Sequence, residues 1–384
     1  MRTTRDDPHR HARGLLLGLA SALLGLFLAA CSDSPIVVGF SGQLTGPRSD
    51  LGVQGRNGAL LAVERINADG GVRGRPLLLV AVDDGDEPDA AVRADIGLLE
   101  RGAVAIIGHM TTSQTLAALP AVRARGGILI SPTTSTPELD GLDDAFFRVM
   151  PSNAVWARAL AAHARHSGLE TVAVLGDSDN AGYTDTFDNV FMETFQALGG
   201  RVVLQQGFSS KAGPPWERIL DDLARTRPGG VLISASARDV AALAQRLRRA
   251  LPGMRILCSP WAATRELIQT GGHAVEGVET SFAFNEDNDA PSFQRFQAEY
   301  AARFGFKPNF AAAYAYEAVS VLASALERTG GRAEGLRAAL AADVEHAGVI
   351  GPFRMDPDGD VRRPTFIVAV QNGRLVTLGR EAAP

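Results

Sequence analysis

From Pro35 onward, short apolar runs rich in β-branched residues alternate with longer stretches in which apolar positions recur at helical spacing. A parallel sheet wrapped by helices requires such alternation, because its strands are buried on both faces and its helices on one. Residues 36–41 read as the first strand. In the segment after it Ala59, Val63 and Ile66 stand at i, i+4 and i+7 and line one helix face, and Gly70-Gly71 stops the helix where a left-handed cap is needed. Further strands are predicted at 77–83, 105–108 and 128–131, with helices over 89–100 and 112–125 between them. The pattern then restarts with a helix over 153–167 and strands at 171–176, 202–207, 230–234 and 255–259. Three helices follow at 291–304, 311–328 and 333–343, then strands at 365–371 and 374–378. No Pro-, Ser- or charge-rich linker separates the halves, so ordinary elements are predicted to join them as a hinge.

The first thirty residues follow a different rule. Arg2, Arg5, Arg10 and Arg13 precede an uncharged Leu-, Ala- and Gly-rich run over 15–28, shorter than the roughly 20 residues of a membrane-spanning helix. This is the layout of an export signal. It ends in Leu28-Ala29-Ala30-Cys31, which resembles a bacterial lipobox, where a cysteine thiol takes diacylglycerol. Such an anchor holds a soluble body on a membrane surface without spanning the bilayer. The body that follows is too long for one core and implies two domains. The formal charge is −5, and −7 without residues 1–30. A mildly acidic body has no broad attraction for nucleic acid. Cys258 is the only cysteine after Cys31, so no disulfide is expected within the body, and Cys258 reads as a small buried hydrophobe.

In open α/β sheets ligands bind beyond the carboxyl ends of the strands, and two such ends are crowded with hydroxyls. Gly108-His109-Met110-Thr111-Thr112-Ser113 opens a helix, whose free N–H groups and dipole face any guest. Ser131-Pro132-Thr133-Thr134-Ser135 follows the next strand. A carboxylate is the simplest guest for both; helix capping and turn chemistry are the other use of such residues. Ser178 in Gly176-Asp177-Ser178, with His346 in Asp343-Val344-Glu345-His346, imitates a serine hydrolase, but Ser178 opens the second half while His346 closes the first. Asp356, Asp358 and Asp360 imitate a calcium loop, yet Ile367 fills the twelfth place, where a bidentate Glu is needed, and Asp358-Gly359 reads as a turn. No glycine-rich phosphate fingerprint is present. Neither a metal nor a cofactor is expected.

The order and spacing of several segments resemble the leucine/isoleucine/valine-binding type of ABC solute-binding protein. These are Gly39-Phe40-Ser41-Gly42 with Thr45-Gly46-Pro47, residues 62–74 (AVERINADGGVRG), Asp83-Asp84-Gly85-Asp86-Glu87-Pro88, Ile107-Gly108-His109, residues 131–139 (SPTTSTPEL), and Gly351-Pro352-Phe353 with Asp356 and Gly359-Asp360. The resemblance spans nearly the whole chain after Cys31. It implies an α/β fold of two Rossmann-like lobes with parallel-type sheets joined by a three-crossover hinge, the type I periplasmic binding protein class. The crossovers are expected near 148–153, 280–284 and 348–352, giving lobe one at 31–150 plus 283–349 and lobe two at 151–282 plus 350–384. It further implies a monomer, not an enzyme, on the periplasmic side of a bacterial membrane, inner or outer, that delivers an amino acid or related small carboxylate to ABC permease subunits. A lipid-anchored sensor of the same fold, signalling to a partner, fits the same residues.

By resemblance Thr112, Ser113, Thr133 and Ser135 take the α-carboxylate and part of the α-ammonium. Lobe two departs from the family. A tyrosine and a glutamate that serve the ammonium in amino-acid binders match Ser236 and Pro260, and a pocket aromatic matches near Ala181, two residues from Tyr183. Either Asp177, Asp179 or another acid substitutes, or the ligand carries no ammonium. Trp261 and Phe282 are candidates for pocket walls or for ordinary core packing.

Overall fold

The computed structural model of the protein describes residues 34–381 apart from 47, 48 and 86. The export segment and Cys31 lie outside the described residues. Strands β1 (Ile36–Gly42), β2 (Leu77–Asp83), β3 (Ile106–Ile107), β4 (Leu129–Ser131) and β5 (Phe146–Arg148) form a parallel sheet in the order β2-β1-β3-β4-β5. Helices α1 (Asp50–Ala68), α2 (Pro88–Glu100) and α3 (Thr112–Ala124) alternate with its first four strands.

A second sheet follows α4 (Asn153–His166) and contains β6 (Thr171–Asp177), β7 (Arg201–Phe208), β8 (Gly230–Ser234), β9 (Arg255–Cys258) and β10 (Glu279–Phe282). Helices α5 (Ala181–Ala197), α6 (Trp216–Thr226), α7 (Ala237–Ala250) and α8 (Arg265–Gly271) alternate with these strands. The chain then makes α9 (Pro291–Phe304), α10 (Phe310–Arg328) and α11 (Leu336–Leu340), a small ladder of β11 (Glu345–Ala347) with β12 (Pro352–Arg354), and finally β13 (Thr365–Gln371) and β14 (Arg374–Glu381). The second sheet runs β14-β13-β10-β9-β8-β6-β7.

The sheets are of the expected parallel type, and the second adds an antiparallel edge, β13 running antiparallel to both β10 and β14. Asn372 and Gly373 both have positive φ, 53° and 67°, and so tight a turn joins only antiparallel strands. The helix predicted over 333–343 shrinks to five residues, because Gly335 (φ 78°) and Asp343 (φ 52°) leave the helical region at its two ends. Strands β5, β10, β11 and β12 are three or four residues each, too short for a periodicity to reveal.

Helix α10 returns to the first sheet, packing on α1, β3 and β4. Asn309 caps it, with Oδ1 accepting from the N–H of Ala311 and Ala312 at 3.0 and 3.3 Å. A Cβ on Gly58 of α1 would lie 2.0 Å from the Ala312 carbonyl oxygen, so this helix pair can approach only with glycine there. The chain therefore passes between the sheets three times: from β5 to α4, from β10 to α9, and from α11 to β13.

Two buried arginines tie the first passage to the third. Arg148 donates to Asp360 Oδ1 and the Thr136 carbonyl at 2.7 and 2.9 Å and pairs with Asp140. Arg363 pairs with the fully buried Glu317 of α10, donates to the Val149 carbonyl at 3.0 Å, and lies 3.9 Å from the Phe353 ring centroid. The acidic triplet belongs to this hinge. Asp356 Oδ1 accepts from the N–H of Asp358 and Asp360 at 3.1 and 2.9 Å and closes a turn, while Asp360 faces Arg148.

Candidate functional site

The site lies where the carboxyl ends of the two sheets face each other. On the first sheet β3 runs out at Ile107, and Thr111 stands as an extended cap before α3. The Thr111 hydroxyl donates to Gln114 Oε1, and the Gln114 amide donates to Asp84 Oδ1 at 3.0 Å and to the Gly85 carbonyl. Behind them His109 is fully buried between Asp84 and Asp95, its Nδ1 and Nε2 at 2.6 and 3.0 Å from their carboxylates. Burial opposes the charged ring, but the Asp95 and Asp84 carboxylates outweigh it and lift the imidazole to about 10. His109 is thus an imidazolium that holds Asp84, and through it Gln114 and Thr111, in place.

The inner part of the cleft is lined by Thr112, Thr133 and Ser135 from the first sheet's loops and by Trp156, Tyr183, Pro260, Trp261 and Phe282 from the second. Leu51, Met110, Met150 and Phe310 complete its apolar wall. The outer part opens to solvent past Ser113, Asp50, Asp179, Lys211, Ser236, Arg238 and Glu266, with Leu51, Met110, Thr111, Asn180 and Trp261 shared between the two parts. Burial and the neighbouring Asp50 carboxylate lift Glu266 to about 7.

The hydroxyls differ in what they can offer. Thr133 Oγ1 donates to the carbonyls of Met110 and His109 at 3.0 and 3.2 Å, so toward a guest it only accepts. Ser135 Oγ and Trp156 Nε1 are buried and have no partner among the described residues; burial pushes the Tyr183 phenol up, so it stays protonated beside Ser259 and the Trp261 backbone. Ser236 caps α7, accepting from the Asp239 N–H and donating to the Asp239 carboxylate at 2.6 Å. The halves touch across the cleft. The Ser113 N–H donates to Asn180 Oδ1 at 3.2 Å, Lys211 lies 3.1 Å from Glu87, and a Cβ on Gly182 would come within 2.8 Å of Leu116.

Residues 35–374 match the sequence profile of the family described as periplasmic binding protein. The chain belongs to that family. The leucine-, isoleucine-, valine-, threonine- and alanine-binding protein of Pseudomonas aeruginosa is 25% identical over 91% of this chain and 93% of its own length. A leucine-binding protein from Thermotoga maritima superposes with a TM-score of 0.83 at 24% identity, covering 90% of this chain and 98% of that one. An ABC transporter solute-binding protein from R. palustris in complex with benzoate gives a TM-score of 0.81 at 22% identity, covering 90% and 96%. The fold class of this periplasmic binding protein is the type I class that the resemblance implies.

Of the residues singled out from the sequence, Thr112, Thr133, Ser135, Tyr183, Trp261 and Phe282 meet in the inner pocket of this periplasmic binding protein, and Ser113 and Ser236 line its outer part. Asp177 does neither. As the last residue of β6 it turns into the following loop, where its carboxylate accepts from the Asp179 N–H and the Ser210 hydroxyl at 3.1 and 2.8 Å. Ser178 donates to the Phe208 carbonyl at 2.9 Å, whereas His346 sits on β11 stacked on Phe353, with no hydrogen bond between the two. Sequence reasoning missed Trp156 and Asn180. Asn180 lies in the loop that holds Asp177 and Asp179, whereas Trp156 sits one turn into the helix predicted over 153–167 and carries no local signal of its own.

Proposed function

We propose that this chain is the extracytoplasmic substrate-binding lipoprotein of an ABC importer, holding an amino acid or related small carboxylate between lobes formed by 31–150 plus 283–349 and 151–282 plus 350–384. The observation that carries the reading is the inner pocket: the hydroxyls of Thr112 at the N-terminus of α3 and of Ser135 in the loop after β4 share it with an aromatic wall of Tyr183, Trp261 and Phe282. A carboxylate seated there meets free donors and the positive end of the helix dipole, and its apolar tail meets the rings. The amino acids named for the P. aeruginosa relative and the benzoate of the R. palustris neighbour have a carboxylate in common. Lipid on Cys31 would hold the protein at the periplasmic face of a membrane beside the permease subunits that receive the ligand.

A thermal-shift screen of the purified protein against amino acids, aliphatic acids, aromatic acids and their neutral amides tests this. A ligand at 100 times its Kd should stabilise the fold by roughly 2.7 kcal/mol. Acids should raise the melting temperature and their amides should not; shifts from amides alone overturn the reading.

A further inference from the structure

The inner pocket offers donors and no acid. Its lining contains no Asp or Glu, yet two donors in it, Ser135 Oγ and Trp156 Nε1, have no partner among the described residues, and their residues are only 0% and 1% exposed. Buried donors are normally partnered, so two such donors on a ligand pocket point to acceptors supplied by the guest. With Ser135 assigned to the carboxylate seat, the indole of Trp156 remains. It comes from α4 beside the second sheet, held edge-on against Phe282 at 5.1 Å, and an indole N–H can only donate. The phenol of Tyr183 lines the same pocket.

The acids of the cleft, Asp50, Asp179 and Glu266, line only its outer part. Asp179 accepts from the Ser209 hydroxyl and the Lys211 N–H at 2.9 and 2.8 Å, Asp50 accepts from the Asn309 amide at 3.1 Å, and Glu266 faces Arg238 at 3.8 Å. An ammonium in the inner pocket would meet only neutral oxygens such as Thr133 Oγ1, which compensate a desolvated charge poorly.

We propose that the inner pocket selects an oxygen-bearing carboxylic acid without an ammonium group, a 2-oxo or hydroxy acid whose second oxygen accepts the Trp156 indole N–H. This rests on the carboxylate reading above and narrows it.

Matched triads separate the two. Isothermal titration of the purified protein with 4-methyl-2-oxopentanoate, leucine and 4-methylpentanoate, and with phenylpyruvate, phenylalanine and 3-phenylpropanoate, should find the oxo acid of one triad at least about tenfold tighter than both companions. Trp156→Phe should erase that preference, so that the oxo and unsubstituted acids bind it equally. Because the variant opens space in a packed region, the native protein supplies a second readout. Among the indole N–H resonances of its three tryptophans, one should move downfield with the oxo acid and stay put with the unsubstituted acid. The inference is overturned if the amino acid binds tightest, if oxo and unsubstituted acids bind equally, or if no indole responds. In the second case the carboxylate reading survives; if no member of either triad binds, both fall.

Discussion

The backbone N–H of Ser113 donates to the side-chain oxygen of Asn180 across the cleft at 3.2 Å. The first turn of α3 is thereby capped by a residue from the opposite half, which ties closure to the same helix terminus that faces the ligand.

Asn180→Ala should therefore weaken closure without unfolding either half. The lost bond is worth about 1 kcal/mol, or roughly a fivefold loss of ligand affinity. Titration calorimetry measures the affinity, and small-angle scattering should show a larger radius of gyration for the unliganded variant. Unchanged values in both would detach Asn180 from closure.

Ser135 predicts opposite effects on stability and binding. Its hydroxyl is fully buried and has no partner among the described residues, so Ser135→Ala removes a desolvation cost and should leave the unliganded melting temperature unchanged or slightly raised. Affinity for a carboxylate should fall by roughly tenfold, the scale of one hydrogen bond to a charged group. A loss of unliganded stability would mean the hydroxyl has a structural task.

Glu317 and Arg363 form a buried pair at the hinge, Glu317 also accepting from the Ile350 N–H at 3.0 Å. Glu317→Ala leaves the guanidinium unpaired and should cost about 3–5 kcal/mol, read from the urea midpoint. The exposed Lys211–Glu87 pair is the control: Lys211→Ala should cost less than about 1 kcal/mol.

The buried imidazolium makes stability depend on pH in the alkaline direction. His109 is raised from 6.5 to about 10 in the folded protein, so the folded state holds its proton more tightly than the unfolded chain does. The contribution is complete below 6.5, shrinks progressively above it, and is gone once pH has risen through about 10. Chemical denaturation between pH 6 and pH 10 should show that decline. His109→Gln should flatten it and lower stability throughout, because Asp84 and Asp95 lose their counter-charge.

Much of the fold is legible along the chain because its repeating unit is local. A strand such as β8, buried along all five of its residues, announces itself as an unbroken apolar run, and α10 by its alanine-rich period. The hydroxyl clusters after β3 and β4 are legible for the same reason: the ends of strands are where the pattern breaks. The three-residue strands at the hinge carry too few positions to show a period, and the antiparallel pairing of β13 with β10 is set by the direction in which the third passage returns the chain.

The pocket itself is of another kind. Thr112 and Ser135 can be named as hydroxyls beside a helix end, but whether such a hydroxyl offers a proton depends on neighbours far away in sequence: Thr133 spends its own on the carbonyls of Met110 and His109, and Ser135 meets no acceptor. Trp156 and Asn180 enter only because the chain crosses between sheets and brings α4 and the loop after β6 over the N-terminus of α3. Hydrophobic period follows from each residue's immediate neighbours, and so two wrapped sheets and their hydroxyl-rich ends can be read from the residues in order. Hydrogen-bond balance and the meeting of two halves are long-range properties, and they appear only when the folded chain brings Trp156 and Ser135 into one pocket.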